Sequence, residues 1–246
     1  ILLIESAIMV LPIAAALIYR ETSGVWFFYT ALAAAICGFA AMKLSKPRTK
    51  TIYAKEGLIT VALGWIVLSL VGALPFTLSG EIPFYLDAVF EMISGFTTTG
   101  SSILPNVEAL SRCMLLWRSF SHWLGGMGIL VFMLAIVKME GGQGIHLLRA
   151  ESPGPTVGKM VPRMVDSSKI LYTIYFALTL VQVVFYLAGG MPLFDSLCNA
   201  FATAGTGGFS IKADSFASYS MYAQTVTTVF MALFGVNFSI YFFLLQ

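Results

Sequence analysis

The segment that decides the fold of this chain reads FYLDAVFEMISGFTTTGS and runs from Phe84 to Ser101. Its apolar part covers residues 84–96 and ends in a run of threonine and glycine. A membrane-spanning helix needs about 20 predominantly apolar residues, so this part is too short to cross a membrane. The segment therefore predicts a re-entrant or interfacial helix followed by a polar loop, rather than a complete span.

The composition of the whole chain is typical of an integral membrane protein. Hydrophobic residues make up 58% of the 246 residues and charged residues only 11%, whereas soluble domains carry about 25% charged residues. The net charge of +2 is too small to indicate nucleic-acid binding. The three cysteines are far apart and lie in apolar stretches, which predicts free thiols rather than a disulfide framework or a metal site.

Six apolar runs are long enough, at about 18 residues or more, to be candidate membrane spans. Two further apolar runs are too short to span and interrupt the series. The six long runs cover approximately residues 1–19, 26–42, 58–78, 114–137, 170–188 and 221–245. The two short runs are 84–96 and 193–202.

The basic residues predict which side of the membrane each loop faces. Lys and Arg cluster in the loop after the second span and in the loop after the fourth span, whereas the other connections are poor in them. Because cytoplasmic loops carry an excess of Lys and Arg, we expect both basic loops to lie in the cytoplasm. Both basic loops can lie in the cytoplasm only if each short apolar run enters the membrane and returns to the same outer side.

The order of long and short apolar runs predicts an internal repeat. Each repeat consists of a long span, a short apolar run that opens near an Asp, a threonine–glycine cluster and another long span. Few residues are identical between the two repeats, so a chance match is the alternative. The residues that coincide without gaps are Asp87 with Asp195, Thr98 with Thr206, and Gly100 with Gly208.

The threonine–glycine clusters suit the binding of an ion. An ion that leaves water needs its hydration shell replaced, and backbone carbonyls do this without burying a full charge. Glycine accepts the positive φ angles that turn carbonyls toward an axis. For either cluster alone, a small-residue turn or a helix-packing patch is the alternative. The candidate ion-binding residues are Thr97, Thr98, Thr99, Gly100, Gly205, Thr206, Gly207 and Gly208.

Glycines in the spans that follow the two clusters are candidates for a hinge or gate. Such residues allow a helix to kink, although close helix packing explains them equally well. The candidates are Gly125, Gly126, Gly128 and Gly235.

Two polar residues of the fourth span also require an explanation. For His122 the alternatives are a proton relay and an interfacial histidine packed behind the filter residues of the clusters, and we favour the packed histidine. For Arg118 the alternatives are a partner for a carboxylate such as Glu91 and a side chain that snorkels to the membrane surface. We favour an ion pair that supports the short helix.

Six motifs together are similar to those of one known family. They are SGFTTTG at 94–100, WR at 117–118, HWLGGMG at 122–128, LRAESPGP at 148–155, AGTGGFS at 204–210 and GVNF at 235–238. On these motifs the chain resembles the N-terminal half of TrkH-type members of the TrkH/KtrB superfamily of potassium transporters. The resemblance covers nearly the whole chain and is most specific from about Tyr53 onward.

The resemblance implies an all-α membrane fold built of span–pore helix–filter–span units, preceded by two extra transmembrane helices. Gly100 and Gly208 are then filter glycines of two of the family's four units. The third and fourth units are missing, so either the chain continues beyond Gln246 or two copies complete one pore, and we favour the first alternative. The implied divisions are two N-terminal helices with a basic loop at 1–50, a first pore unit at 51–138, a cytoplasmic loop at 139–168 and a second pore unit at 169–246.

The function that the resemblance implies is potassium uptake across the plasma membrane, the inner membrane of a bacterial cell, with potassium held at the filter and no cofactor. The implied partners are a second copy of the chain, a cytosolic nucleotide-binding regulatory subunit of the TrkA type, and membrane lipid. A symporter that couples potassium to protons or sodium is the alternative. An enzyme is not expected, because the sequence contains none of the common catalytic motifs.

Overall fold

The structure of the protein is a computed structural model that describes residues 1–44, 54–128, 164–236 and 240–241. Within this part of the chain, the regular elements are all helices. In chain order they are α1 (Leu2–Ile8), α2 (Val10–Tyr19), α3 (Gly24–Leu44), α4 (Ala54–Ser79), α5 (Tyr85–Phe96), a short 3-10 helix (Val107–Ala109), α6 (Arg112–Met127), α7 (Met164–Ala188), α8 (Leu193–Ala204) and α9 (Met221–Gly235).

Four stretches of the described residues are long and apolar enough to cross a membrane. They are Leu2–Tyr19, Gly24–Leu44, Ile59–Ser79 and Ile170–Ala188. Large apolar side chains on these stretches point outward, for example Leu17 at 75% exposure and Val184 at 63%, as expected where lipid rather than water is the surrounding medium. The predicted all-α membrane architecture is confirmed.

The first span consists of two helices, α1 and α2, because the regular helix is interrupted at Met9. Pro12 lies three residues further on, and proline has no backbone N–H to donate to the preceding turn. The predicted spans at 114–137 and 221–245 begin as α6 and α9, and their later residues lie largely outside the described part of the chain.

The two short apolar runs form helices of equal length. Helices α5 and α8 each contain 12 residues, too few to cross a membrane. Each carries an Asp in its first turn, Asp87 in α5 and Asp195 in α8. A negative charge in the first turn stabilises a helix, because it compensates the positive end of the helix dipole.

Helix α5 is buried along one face against α4 and α6. Ala88, Met92 and Phe96 are spaced four residues apart, so they lie on one side of the helix, and all three are buried. The ring of Trp117 from α6 packs edge-on against Phe96, with centroids 6.2 Å apart. The Trp117 Nε1–H also donates to the carbonyl oxygen of Gly72 in α4, at 3.0 Å. These contacts fix the end of α5, where the threonine–glycine cluster begins.

Acidic side chains fix the start of α6. The carboxylate of Glu21 accepts hydrogen bonds from the backbone N–H groups of Arg112 and Cys113, at 2.8 and 2.9 Å. Glu81 accepts from the backbone N–H and the hydroxyl of Ser111, at 2.7 and 2.8 Å. The first N–H groups of a helix have no partner within it, so these carboxylates satisfy them, and Glu21 also joins the N-terminal helices to the first predicted pore unit.

Candidate functional site

Two loops follow the short helices, and we name them loop 1 (residues 97–103) and loop 2 (residues 205–211). Thr97 has φ −86° and ψ 3°, and the next residue, Thr98, has φ +55°. At the aligned positions, Gly205 has φ −75° and ψ −4°, and Thr206 has φ +58°. Two residues further on, Gly100 and Gly208 have φ +76° and +70°. The backbones of the two loops therefore have similar conformations at these three pairs of aligned positions.

The positive φ of the two threonines, Thr98 and Thr206, requires support from the surrounding structure. A positive φ is uncommon for any residue with a Cβ atom and is an outlier for a β-branched one. Such conformations persist where neighbouring groups fix them, and they cluster at ligand-binding sites. The hydrogen bonds around both loops supply this support.

The two loops approach each other closely, backbone against backbone. A Cβ atom added to Gly100 would collide with the carbonyl oxygen of Gly207. A Cβ atom added to Gly207 would lie 2.6 Å from the carbonyl oxygen of Thr98 and would collide with the ring of His122. Glycine is therefore required at both positions, and the predicted filter residues of the two clusters are brought together in space.

Loop 1 is held by the polar side chains of α5. Glu91 accepts hydrogen bonds from the Ser102 hydroxyl and from the backbone N–H of Ile103, both at 2.6 Å. The hydroxyl of Ser94 donates to the carbonyl oxygen of Ser101 at 2.5 Å. The loop is thus attached to its own short helix at three points.

Arg118 of α6 links loop 1 to loop 2. Its Nε donates to Glu91 Oε2 at 3.0 Å, and its Nη1 donates to the carbonyl oxygen of Ser210 at 2.6 Å. The guanidinium carbon also lies 3.3 Å from the centroid of the Phe209 ring, within the range of a cation–π contact. Arg118 is 2% exposed and Glu91 is fully buried. The predicted supporting ion pair between Glu91 and Arg118 is confirmed, and the contact with loop 2 is one that the sequence did not predict.

His122, one helical turn after Arg118, contacts loop 2 directly. Its Nε2 accepts a hydrogen bond from the backbone N–H of Gly207 at 3.1 Å. Its ring stacks on Phe209, with centroids 5.2 Å apart and planes 26° from parallel. A ring nitrogen that accepts a hydrogen bond carries no proton, so His122 is neutral in this arrangement. The structure supports the packed alternative for His122, whose ring lies against loop 2.

Loop 2 is held by residues that sequence reasoning missed. Asn199 of α8 accepts a hydrogen bond from the Ser210 hydroxyl at 3.0 Å. Behind it, the buried hydroxyl of Tyr186 accepts from Gln182 Nε2 at 2.8 Å and lies 3.2 Å from the Thr203 hydroxyl and 2.7 Å from the Thr227 hydroxyl. Asn199 coincides with Glu91 when Asp195 is aligned with Asp87, so the internal alignment contained a signal for it.

The candidate hinge glycines lie at packed positions or at helix ends. A Cβ atom on Gly125 would collide with the carbonyl oxygen of Phe96, and one on Gly126 would collide with the hydroxyl of Tyr175. Gly128, with φ +71°, ends α6, and Gly235 ends α9. Close packing therefore accounts for Gly125 and Gly126, whereas a gating role for any of these glycines stays a prediction.

Within the described residues, His, Cys, Asp and Glu side chains form no group of three or more that could hold a metal ion. Cys37, Cys113 and Cys198 are free thiols, and the last two are buried. Backbone and hydroxyl oxygens are thus the groups that loops 1 and 2 offer to a cation, and these are the ligands that hard alkali cations take.

Comparisons with known proteins agree with this arrangement. A family model named TrkH, described as a cation transport protein, matches residues 26–246. The chain is 36% identical over 249 residues to the Trk system potassium uptake protein TrkH of Escherichia coli K12. It is 35% identical over 245 residues to the TrkH protein of Vibrio parahaemolyticus, and it is 32% identical over 231 residues to an uncharacterized cation transporter of Methanocaldococcus jannaschii.

The fold is also similar to a solved structure. The crystal structure of the potassium transporter TrkH from Vibrio parahaemolyticus superposes with a TM-score of 0.82 at 31% identity. That match covers 98% of this chain and 49% of the other. The sequence relatives are likewise covered to 52% for Escherichia coli TrkH and 50% for Vibrio parahaemolyticus TrkH, so the chain spans about half the length of the relatives it matches.

The family model covers most of the chain, and the relatives match it from end to end at more than 30% identity. The family is one of cation transporters rather than enzymes, in agreement with the expectation from the sequence. The chain belongs to the TrkH family of cation transport proteins, and it is a multi-pass membrane protein.

Proposed function

We propose that this chain supplies two pore units of a potassium uptake transporter, and that potassium ions cross the membrane along the backbone oxygens of loops 1 and 2. The relatives named above as potassium uptake proteins support potassium as the substrate. The chain matches about half of their length. The remaining sides of the pore are therefore expected from the other half of a longer protein.

The observation that carries the proposal is the shared backbone pattern of the two loops. A right-handed residue followed by a left-handed one, as at Thr97–Thr98 and Gly205–Thr206, turns one peptide plane over relative to the next. Gly100 and Gly208 add a second residue of positive φ two positions further on, and we infer that these repeated turns direct carbonyls of each loop toward a common axis. A row of carbonyls replaces the hydration shell of an ion and requires no charged side chain.

The short helices add an electrostatic contribution to the proposed filter. Helices α5 and α8 end where loops 1 and 2 begin. The C-terminal end of a helix carries a partial negative charge equivalent to roughly half an elementary charge. Two such ends directed at the same narrow space stabilise a cation there.

The wider assembly belongs to the same proposal. The two basic loops face the cytoplasm of the cell, the transporter works in the plasma membrane as a homodimer, and a cytosolic nucleotide-binding subunit of the TrkA type regulates it. The filter holds potassium as the substrate, and the chain carries no cofactor. Uptake coupled to protons or sodium is the alternative to passive flow, and an imposed pH or sodium gradient separates them.

The test is tracer uptake by the full-length protein in liposomes. Rubidium uptake is followed with potassium or sodium as competitor, in the wild type and in Gly100→Ser. We expect potassium to compete far better than sodium in the wild type, and we expect this preference to weaken in Gly100→Ser. The matched control is Gly80→Ser, because Gly80 has a similar φ of +80° but lies outside the loops, with no atom within 4 Å of an added Cβ. Uptake that is unaffected by Gly100→Ser would contradict the proposal.

A further inference from the structure

Glu5 is a carboxylic acid buried inside the membrane part of the protein. It lies on α1, within the span Leu2–Tyr19, and is fully buried. Neither of its carboxyl oxygens has a hydrogen-bond partner among the described residues. The filter contacts described above do not involve it.

The surroundings of Glu5 are apolar and belong to the first pore unit. Its Oε1 lies 3.4 Å from the position that a Cβ atom on Gly72 would occupy. The ends of the Met92 and Phe96 side chains lie 3.0 and 3.4 Å from the same position. Gly72 belongs to α4, and Met92 and Phe96 belong to the buried face of α5.

Among the side chains that the structure describes, the helices packed around Glu5 supply no counter-charge to it. Helix α2 and the part of α4 from residue 59 to residue 79 contain no Asp, Glu, Lys or Arg. In α3 the charged residue is Lys43, which is exposed near its end. In α5, Asp87 lies in the first turn and Glu91 is paired with Arg118.

A carboxylate that is removed from water without hydrogen bonds or a counter-charge is strongly unfavourable, and the group takes up a proton instead. Ionisable groups inside membranes are also commonly functional. We propose that Glu5 is an intramembrane proton-binding site, whose neutral form allows α1, α4 and α5 to pack together behind the first filter loop.

The contacts around Gly72 connect this site to loop 1. The carbonyl oxygen of Gly72 accepts the hydrogen bond from Trp117, and the Trp117 ring packs against Phe96. Phe96 is the last residue of α5 and directly precedes Thr97 of loop 1. Loss of the proton places a negative charge against this group of side chains, so their packing changes or water enters. Ionisation of Glu5 therefore disturbs the support of loop 1.

The first experiment detects the proton itself. Infrared spectra of the full-length protein in lipid at neutral pH are compared for the wild type, Glu5→Gln and Glu108→Gln. We expect a carbonyl band of a protonated carboxylic acid, sensitive to deuterium exchange, that disappears in Glu5→Gln. Glu108 is exposed in the outer loop, so Glu108→Gln serves as the control and keeps the band. Spectra of the wild type and Glu5→Gln that coincide in this region would overturn the proposal, because Glu5 would then be ionised and paired with a cation or water.

The second experiment tests the connection to loop 1. Rubidium uptake is measured over a series of pH values for the wild type and for Glu5→Gln, whose amide has the shape of the neutral acid. We expect wild-type uptake to decline as the pH rises and Glu5 loses its proton, whereas Glu5→Gln uptake stays level. Profiles of the same shape for both proteins would exclude the connection. The infrared result does not depend on transport, so failure of the proposed potassium pore is distinguishable from failure of the proton site.

Discussion

Glu91 and Asn199 occupy the same place in the two short helices, and each accepts a hydrogen bond from a serine of the loop that follows. Glu91 accepts from the Ser102 hydroxyl at 2.6 Å, and Asn199 accepts from the Ser210 hydroxyl at 3.0 Å. One acceptor is a carboxylate and the other is a neutral amide. The two halves of the site thus make the same attachment with groups of different charge.

The difference in charge is matched on the next helix. Arg118 lies seven residues after Ser111, the N-cap of α6, whereas Thr227 lies seven residues after Ser220, the N-cap of α9. The unit that contains a carboxylate therefore also contains a guanidinium, and the unit that contains an amide has a hydroxyl instead. A buried charge is costly unless it is paired. In each unit, these two side chains therefore carry no net charge together.

The first prediction concerns the buried ion pair. Arg118→Met leaves Glu91 buried without its counter-charge, and removal of one partner of a buried pair costs about 3 to 5 kcal/mol. We expect a large loss of thermal stability for Arg118→Met in detergent. The double variant with Glu91→Gln is expected to recover part of the loss, because no uncompensated charge remains.

The measurement for this pair is a double-mutant cycle on the midpoint of thermal unfolding. Coupling between the two positions supports the pairing. Losses for Arg118→Met and Glu91→Gln that simply add in the double variant would contradict it.

The second prediction concerns His122 and loop 2. His122→Phe keeps an aromatic ring against Phe209 but removes the acceptor for the Gly207 N–H. The Gly207 N–H is partly buried, so the loss of its acceptor is expected to cost less than the roughly 1 to 3 kcal/mol of a fully buried group, and loop 2 is expected to lose its conformation more readily. We expect weaker discrimination between potassium and sodium in the rubidium competition assay.

The comparison variant for His122 is His122→Gln, whose side-chain carbonyl is able to accept the same hydrogen bond. It is expected to retain more of the discrimination than His122→Phe does. Equal discrimination in the two variants would mean that the hydrogen bond to Gly207 is unimportant.

The third prediction concerns the contact between the two loops. Gly207→Ala adds a Cβ atom 2.6 Å from the carbonyl oxygen of Thr98 and against the ring of His122. Real Cβ atoms do not approach so closely, so the loops must separate. We expect uptake to be lost while the protein remains in the membrane.

The control for this variant is Gly190→Ala. Gly190 lies between α7 and α8 with φ +81°, and an added Cβ atom there meets nothing within 4 Å. We expect Gly190→Ala to lower the stability of the protein only by the local strain of an alanine at positive φ. Uptake by Gly207→Ala at the level of Gly190→Ala would contradict the close approach of the loops.

The fourth prediction concerns the polar cluster behind loop 2. Tyr186→Phe removes the hydroxyl that accepts from Gln182 and contacts the hydroxyls of Thr203 and Thr227. Because all of these groups are buried, the loss of their partner is expected to cost about 1 to 3 kcal/mol.

Thermal unfolding in detergent measures this cost. Tyr222→Phe is the matched control, because the Tyr222 hydroxyl donates to the carbonyl oxygen of Phe185 at an exposed position. A Tyr186→Phe protein that is no less stable than Tyr222→Phe would show that the cluster contributes little.

The helices of this protein and the positions of its two loops could be predicted from local properties of the sequence. Run length and hydropathy are local properties, and they predicted the membrane spans and the two short helices, which the structure has at Tyr85–Phe96 and Leu193–Ala204. The threonine–glycine clusters also predicted the loops that adopt positive φ, because glycine adopts positive φ without steric cost. The pairing of Glu91 with Arg118 could also be predicted from the sequence, because few charged residues occur in these segments.

Which helices support which loop depends on how the folded chain packs and could not be predicted from the sequence. Arg118 and His122 belong to the first unit, yet they bond to Ser210 and Gly207 of the second, 92 and 85 residues away. Hydrophobic periodicity specifies which face of a helix is buried but not which partner covers it. The burial of Glu5 against α4 and α5 follows the same rule. These contacts arise from the packing of helices that are distant in sequence, and their geometry exists only in the folded chain.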